Sequence, residues 1–389
     1  MGDSSGGPAV NGAGAALVDD LGAYAAAVDG WCAERPAALV AAARPIPDYG
    51  TRVDVMSSLL GALFDAGWSR YGWPEHLGGL GGSILHRGAM WRTLAAHGVP
   101  SMAVFEHLEV LLPTLAALGP VDFVTAALPA FLSGRERWAQ GFSEPDAGSD
   151  LAALRTKAVL DGDEYRITGR KIWTSWAKYG TWCLVLARTG TTESRHRGLT
   201  AFIVDLRDPG VEVRAIEQAN GTDELAEVTF DDVPVPASRI VGDLDGGWKV
   251  AMHILSHERG TYAWFRQCFM YRDLIGHVAD GPAVSDRAVG DALCDIAAVA
   301  ATSAEGLRLH ASGATLGPRA TITKLLLCEA ERSIQDAVLS GNPDLALAPL
   351  DDTTALLRQE YLFSRIVTVY GGSQQMQLET IAKQLLELP

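Results

Sequence analysis

Ten consecutive residues, Gly141-Phe-Ser-Glu-Pro-Asp-Ala-Gly-Ser-Asp150, concentrate small hydrogen-bonding types. The hydroxyls of Ser143 and Ser149, with the backbone N–H groups between them, suit the polar edge of a planar heterocycle. By themselves the same residues also describe an Asx-rich turn with a helix cap, which is the simpler reading. Elsewhere the residue types are ordinary when taken alone: Glu258 before Arg259 suits half of an ion pair, and Gly371-Gly372 suit a loop between helices. Other constellations are missing: the nine histidines make no HExxH pair, there is no GxSxG elbow, and no carboxylates cluster. The glycine-rich Gly72 to Gly82 lacks the preceding strand that a dinucleotide fingerprint needs and reads as a turn between helices.

These residues must be positioned by three kinds of sequence in order. Residues 1–14 form a Gly/Ser/Ala tail expected to be disordered. Residues 15–139 are rich in Ala and Leu, with apolar positions at helical spacing such as Val53, Met56, Leu60 and Leu63. Residues 140–240 change to short runs between turn residues. Strands are expected at Arg155 to Leu160, Glu164 to Thr168, Trp182 to Arg188, Thr200 to Asp205, Val211 to Ala215 and Glu227 to Phe230. Residues 241–389 return to helical period, beginning with one helix from Gly246 to about Val278. Breaks at Gly281-Pro282, Gly313 to Pro318 and Gly341-Asn342-Pro343 leave four or five helices able to pack as a bundle. Strands and helices do not alternate, so the class is α+β multidomain, not a doubly wound parallel sheet.

Composition excludes several functions. The 389 residues carry 47 acidic and 32 basic side chains, a net charge of −15, and no basic run exceeds Arg195-His196-Arg197. That is a poor surface for a nucleic-acid backbone. No apolar stretch reaches the roughly 18 residues of a membrane span, and the N-terminus lacks a basic and then apolar signal, so a cytoplasmic protein is expected. Cys32, Cys183, Cys268, Cys294 and Cys328 show no CxxC spacing and read as reduced residues.

The Gly141–Asp150 run resembles the acyl-CoA dehydrogenase signature that opens the central domain of that flavoprotein family. The resemblance continues through Ile167-Thr-Gly-Arg-Lys-Ile-Trp-Thr-Ser175, Phe230-Asp-Asp-Val-Pro-Val-Pro236, Gly246-Gly-Trp248, His257-Glu-Arg-Gly260 and Val369-Tyr-Gly-Gly-Ser-Gln-Gln-Met-Gln377, in family order over nearly the whole chain. It implies an N-terminal α domain, a central β barrel and a C-terminal four-helix bundle. It also implies FAD, with Phe142, Ser143, Ser149, Trp173 and Ser175 around the isoalloxazine and Gly372, Ser373 and Gln375 on a loop brought to the cofactor. The implied reaction is α,β-dehydrogenation of an acyl thioester of CoA or a carrier protein, with hydride passing to flavin N5 and electrons onward to an electron-transfer flavoprotein. A homodimer or homotetramer is the implied assembly.

Many members carry the catalytic Glu on the C-terminal loop, where this sequence has Gly371; others carry it on the first bundle helix directly before an Arg. The resemblance to the second group makes Glu258 the base and leaves the N–H of Gly371 to polarise the thioester carbonyl. Ser149, Arg259, Tyr262 and Tyr370 are the substrate-facing candidates. On a continuous helix Tyr262 and Phe265 share the face of Glu258, with Trp264 nearby, so a compact acyl pocket is expected; bundle core is an equal reading of Phe265. The family's Arg-x-x-Phe-Gly segment, which reaches a neighbouring subunit's FAD, is missing; Arg266, Arg272 and Arg287 are its possible substitutes. An oxygen-reacting flavin enzyme and a noncatalytic flavin-binding subunit are alternatives on the same fold.

Overall fold

The computed structural model describes residues 17–100, 103–280, 285–314, 316–341, 344, 347–349 and 351–389. The expected tail at residues 1–14 and the breaks at Gly281-Pro282 and Asn342-Pro343 lie outside them. The N-terminal third is helical: α1 (Leu21–Ala33), α2 (Ala37–Ala42), α3 (Tyr49–Asp65), α4 (Ile84–Ala96), α5 (Ala103–Val110), α6 (Leu112–Leu118) and α7 (Val121–Leu132). Helix α3 starts where the Asp48 carboxylate accepts the Thr51 N–H at 2.8 Å, and it buries Val53, Met56, Leu60 and Leu63 as one stripe.

Eight strands follow: β1 (Trp138–Gly141), β2 (Lys157–Asp161), β3 (Glu164–Ser175), β4 (Trp182–Arg188), β5 (Leu199–Asp205), β6 (Val211–Ala215), β7 (Leu225–Pro236) and β8 (Ile240–Val241). They form one sheet in the order β6-β7-β3-β2-β4-β5-β8, with β1 added parallel to β4. Along β4 and β5, Leu184, Leu186 and Ile203 join the core shared with the helices, while Val185, Phe202 and Val204 join a second core on the opposite face. The central strands are therefore buried on both sides.

Strands β3 and β7 run longer than expected. Bulges near Gly169 and Trp173 interrupt the alternation of β3, and Pro234 and Pro236 disguise the end of β7. Those prolines are tolerated because β6 pairs with β7 only as far as Phe230, leaving the N side of the ladder open beyond it.

The C-terminal third contains α8 (Gly247–Arg259), α9 (Thr261–Asp280), α10 (Asp286–Ala311), α11 (Ala320–Ser340), α12 (Asp352–Phe363) and α13 (Gln374–Gln384). The single helix expected from Gly246 is two. Gly260 closes α8 with its N–H on the His257 carbonyl at 3.1 Å, and the chain restarts at Thr261. Glu258 therefore sits in the last turn of α8. Among the described residues no helix is long and apolar enough to cross a membrane.

Candidate active site

The run after β1 is held by a buried carboxylate to which the sequence reading assigned no role. Glu144 accepts the N–H groups of Arg155 at 2.6 Å and Thr156 at 2.9 Å, and the Lys171 ammonium at 2.8 Å. Lys171 also donates to the Phe142 carbonyl at 3.1 Å, and the Ile172 N–H donates to Ser143 O at 3.0 Å. Burial works to raise the Glu144 pKa, but Lys171 and these donors outweigh it and hold it below the ordinary carboxylate value. Burial lowers Lys171 to about 8 even with Glu144 beside it. The result is a rigid seam from β1 to β3, with Phe142 buried, Ser143 half-buried, and Ser149 exposed at its rim.

On β3 the register slips between Lys171 and Thr174. Strict alternation from buried Lys171 would turn Trp173 inward; the bulge turns it out, so the indole is 57% exposed with φ +58°. Positive φ is costly for a bulky residue and persists only where the surroundings impose it. An exposed indole beside the half-buried Ser143 and Ser175 offers an apolar face and hydrogen-bonding hydroxyls, and Thr174 Oγ1 is buried without a partner. This donor set fits a planar flavin ring.

A second cluster forms where α8 meets the loop before α13. Gly371 has φ +65°, and a Cβ built there would lie 2.7 Å from Glu258 Oε1. The Gly371 carbonyl accepts Arg259 Nε–H at 3.2 Å and Gln377 Nε2–H at 3.2 Å; Gln377 also reaches Gly372 O at 2.8 Å. Arg259, expected to face substrate, thus holds the loop backbone. Gln377, to which the family resemblance assigns no role, is buried and fastens the same loop. Burial raises the Glu258 pKa, while Lys324 and then Arg259 act to lower it.

The tyrosine hydroxyls of Tyr262 and Tyr370 lie 3.3 Å apart. The helix break removes the continuous register on which Tyr262 and Phe265 were expected to share the face of Glu258. Phe265 packs edge-on against Trp91 in the core, and Trp264 Nε1 donates to Gly88 O at 3.1 Å. Ser373 serves as the N-cap of α13, its Oγ accepting the Met376 N–H, and Gln375 is exposed in the first turn. Of the three arginines, Arg266 is buried on Glu331 at 2.9 Å and Arg272 donates to Gly98 O at 2.8 Å. Arg287, 92% exposed along its side chain, is the one directed into solvent.

The chain belongs to the acyl-CoA dehydrogenase family. The family model "Acyl-CoA dehydrogenase, middle domain" matches residues 139–233, and "Acyl-CoA dehydrogenase, C-terminal domain" matches residues 245–386. Acyl-CoA dehydrogenase IpdE1 of Mycobacterium tuberculosis is 35% identical over 391 residues, covering 96% of this chain and 99% of that protein. Cyclohexane-1-carbonyl-CoA dehydrogenase of Geobacter metallireducens is 38% identical over 34% of this chain and 35% of its own. A solved structure, the Tcur3481-Tcur3483 steroid ACAD, superposes with a TM-score of 0.78 at 26% identity, covering 96% of this chain and 98% of that one. Membership makes the protein an FAD-dependent oxidoreductase that acts on the CH–CH group of an acyl-CoA.

Proposed function

We propose that Glu258 is the base that removes the α-proton of the acyl-CoA, with the N–H of Gly371 donating to the thioester carbonyl. The observation that carries this reading is the 2.7 Å approach of Glu258 Oε1 to the Cβ position of Gly371, which brings the Glu258 carboxylate to the root of the side chain from which other members of the family supply theirs. An α C–H is a poor acid, so a donor aimed at the developing enolate oxygen must stabilise the transition state. Arg259 and Gln377 fix the loop that carries that donor. Desolvation makes the Glu258 carboxylate more basic than one in water. FAD, held by Phe142, Ser143, Trp173 and Ser175, supplies the hydride acceptor, and an electron-transfer flavoprotein takes the electrons onward. The assembly is proposed to be a homodimer or homotetramer. The acyl group is proposed to be cyclic; the names of the cyclohexane-carbonyl and steroid relatives support this, because both describe ring-bearing substrates.

The test is anaerobic mixing of the yellow holoenzyme with cyclic and straight-chain acyl-CoAs. Wild type should bleach fastest with a cyclic thioester. Glu258→Gln should keep FAD and lose reduction by about 10² to 10⁴. A folded, FAD-loaded Glu258→Gln protein that still bleaches would remove Glu258 from the mechanism.

A further inference from the structure

Lys324 lies on α11 with its side chain 1% exposed, and its Nζ has no hydrogen-bond partner. A buried ammonium without an acceptor is costly unless nearby charge or a π face compensates it. Here Nζ lies 3.7 Å from the centroid of the Tyr370 ring, a cation–π contact. Tyr370 directly precedes Gly371, the residue against which Glu258 presses. The ammonium thus touches the residue next to the one against which the carboxylate presses.

We propose that Lys324 is a positioning residue for Glu258: its ammonium supplies the positive charge against which the carboxylate stays ionised and ready to accept the α-proton. The proposal rests on the reading of Glu258 as base. Arg259, the other cation near Glu258, is already committed to the Gly371 carbonyl. Lys324 opposes the effect of burial on Glu258 more strongly than adjacent Arg259 does. From the side of Lys324, burial disfavours the ammonium; Cys328 and Glu331 on its own helix and Glu258 on α8 favour it, while Arg266 on α9 opposes it. Tyr262 on α9 completes the surroundings through its contact with Tyr370. Each ion of the Glu258–Lys324 pair therefore helps the other remain charged.

Lys324→Met keeps the length and packing of the side chain without the charge, and Lys324→Arg keeps the charge. A base must be unprotonated, so reduction at limiting acyl-CoA rises with pH through the Glu258 titration. Loss of the ammonium raises that titration. In Lys324→Met the rising limb should move to higher pH by about one unit, a loss of about tenfold below the limb that is recovered above it. Lys324→Arg should restore most of the shift. A purely structural role would lower the rate at every pH and leave the limb in place.

A second readout needs no turnover: the infrared carboxylic-acid band of Glu258, assigned by its disappearance in Glu258→Gln holoenzyme, should titrate at higher pH in Lys324→Met. Lys324→Gln replaces the methionine variant if the latter does not load FAD. An FAD-loaded Lys324→Met enzyme whose limb and band both superimpose on wild type overturns the proposal. A wild-type band showing Glu258 protonated at the pH of maximal reduction also overturns it. Retained reduction by Glu258→Gln is a separate result, which removes the base reading.

Discussion

Lys171 and Lys324 are both buried ammonium groups, and their surroundings differ in kind. Lys171 lies within hydrogen-bonding distance of the Glu144 carboxylate and the Phe142 carbonyl, inside a seam that also consumes two backbone N–H groups. Lys324 has the Tyr370 ring face and the charges of Glu258 and Glu331 but no hydrogen-bond acceptor. A satisfied pair fixes geometry, because breaking it exposes an uncompensated charge. An unsatisfied ion near a desolvated carboxylate leaves protonation adjustable, as acid–base chemistry requires. On the proposed reading the strand seam holds a cofactor still, whereas the corner at Glu258 moves a proton.

Removing a partner from the satisfied pair should have the largest effect on stability. Glu144→Gln leaves Lys171 without its counter-charge and should cost about 3 to 5 kcal/mol, seen as a lower denaturation midpoint together with loss of FAD. The pH dependence follows from the direction of the shift. The native pKa of Glu144 is depressed, so its contribution is complete above the ordinary carboxylate range and is lost as pH falls through the depressed value. The gap between wild type and Glu144→Gln should therefore narrow in acid. A gap that is constant down to low pH would show that the Glu144 charge does not organise the seam.

How much of this contrast was legible beforehand differs between the two regions. The strands Trp182–Arg188 and Val211–Ala215 stand where their runs and flanking turns place them, and the helix-strand-helix order is visible in composition. The short strand Trp138–Gly141 is not, because its pairing with β4 is set by a partner some forty residues away. The break at Gly260 hides in an uninterrupted helical period. Glu144 is hidden among turn residues, since only the fold shows that Lys171 reaches back to it. Lys324 has a signal in the sequence: Thr321, Lys324, Cys328 and Glu331 follow one another at helical spacing among buried apolar residues, which places a cation on the inner stripe of α11.

Crowding the adjustable corner without altering any charge should have an intermediate effect. Gly371→Ala must hold an L-residue at φ +65°, costing about 1 to 2 kcal/mol, and its Cβ would collide with Glu258 Oε1. Flavin reduction should fall about tenfold or more while FAD occupancy is unchanged, because the strand seam is untouched. A parallel loss of FAD would mean that the two regions are one unit and would dissolve the distinction between them.

The smallest effect should come from the rim of the seam. Ser143 and Ser175 are half-buried beside exposed Trp173, and neither belongs to the Glu144–Lys171 pair that fixes the backbone. Their hydroxyls are proposed to bond the flavin edge, and each bond exchanges with water, so its net worth is about 0.5 to 1.5 kcal/mol. Ser143→Ala and Ser175→Ala should each weaken FAD about two- to tenfold when apoprotein is titrated with the cofactor, with the melting profile of the apoprotein unchanged. If the apoprotein melts as wild type and FAD affinity does not change in the double variant, the hydroxyls are bystanders. The seam would then act through Trp173 and its backbone alone, which is a stronger form of the same contrast: a platform whose geometry, set by one buried ion pair, outweighs the donors displayed on it.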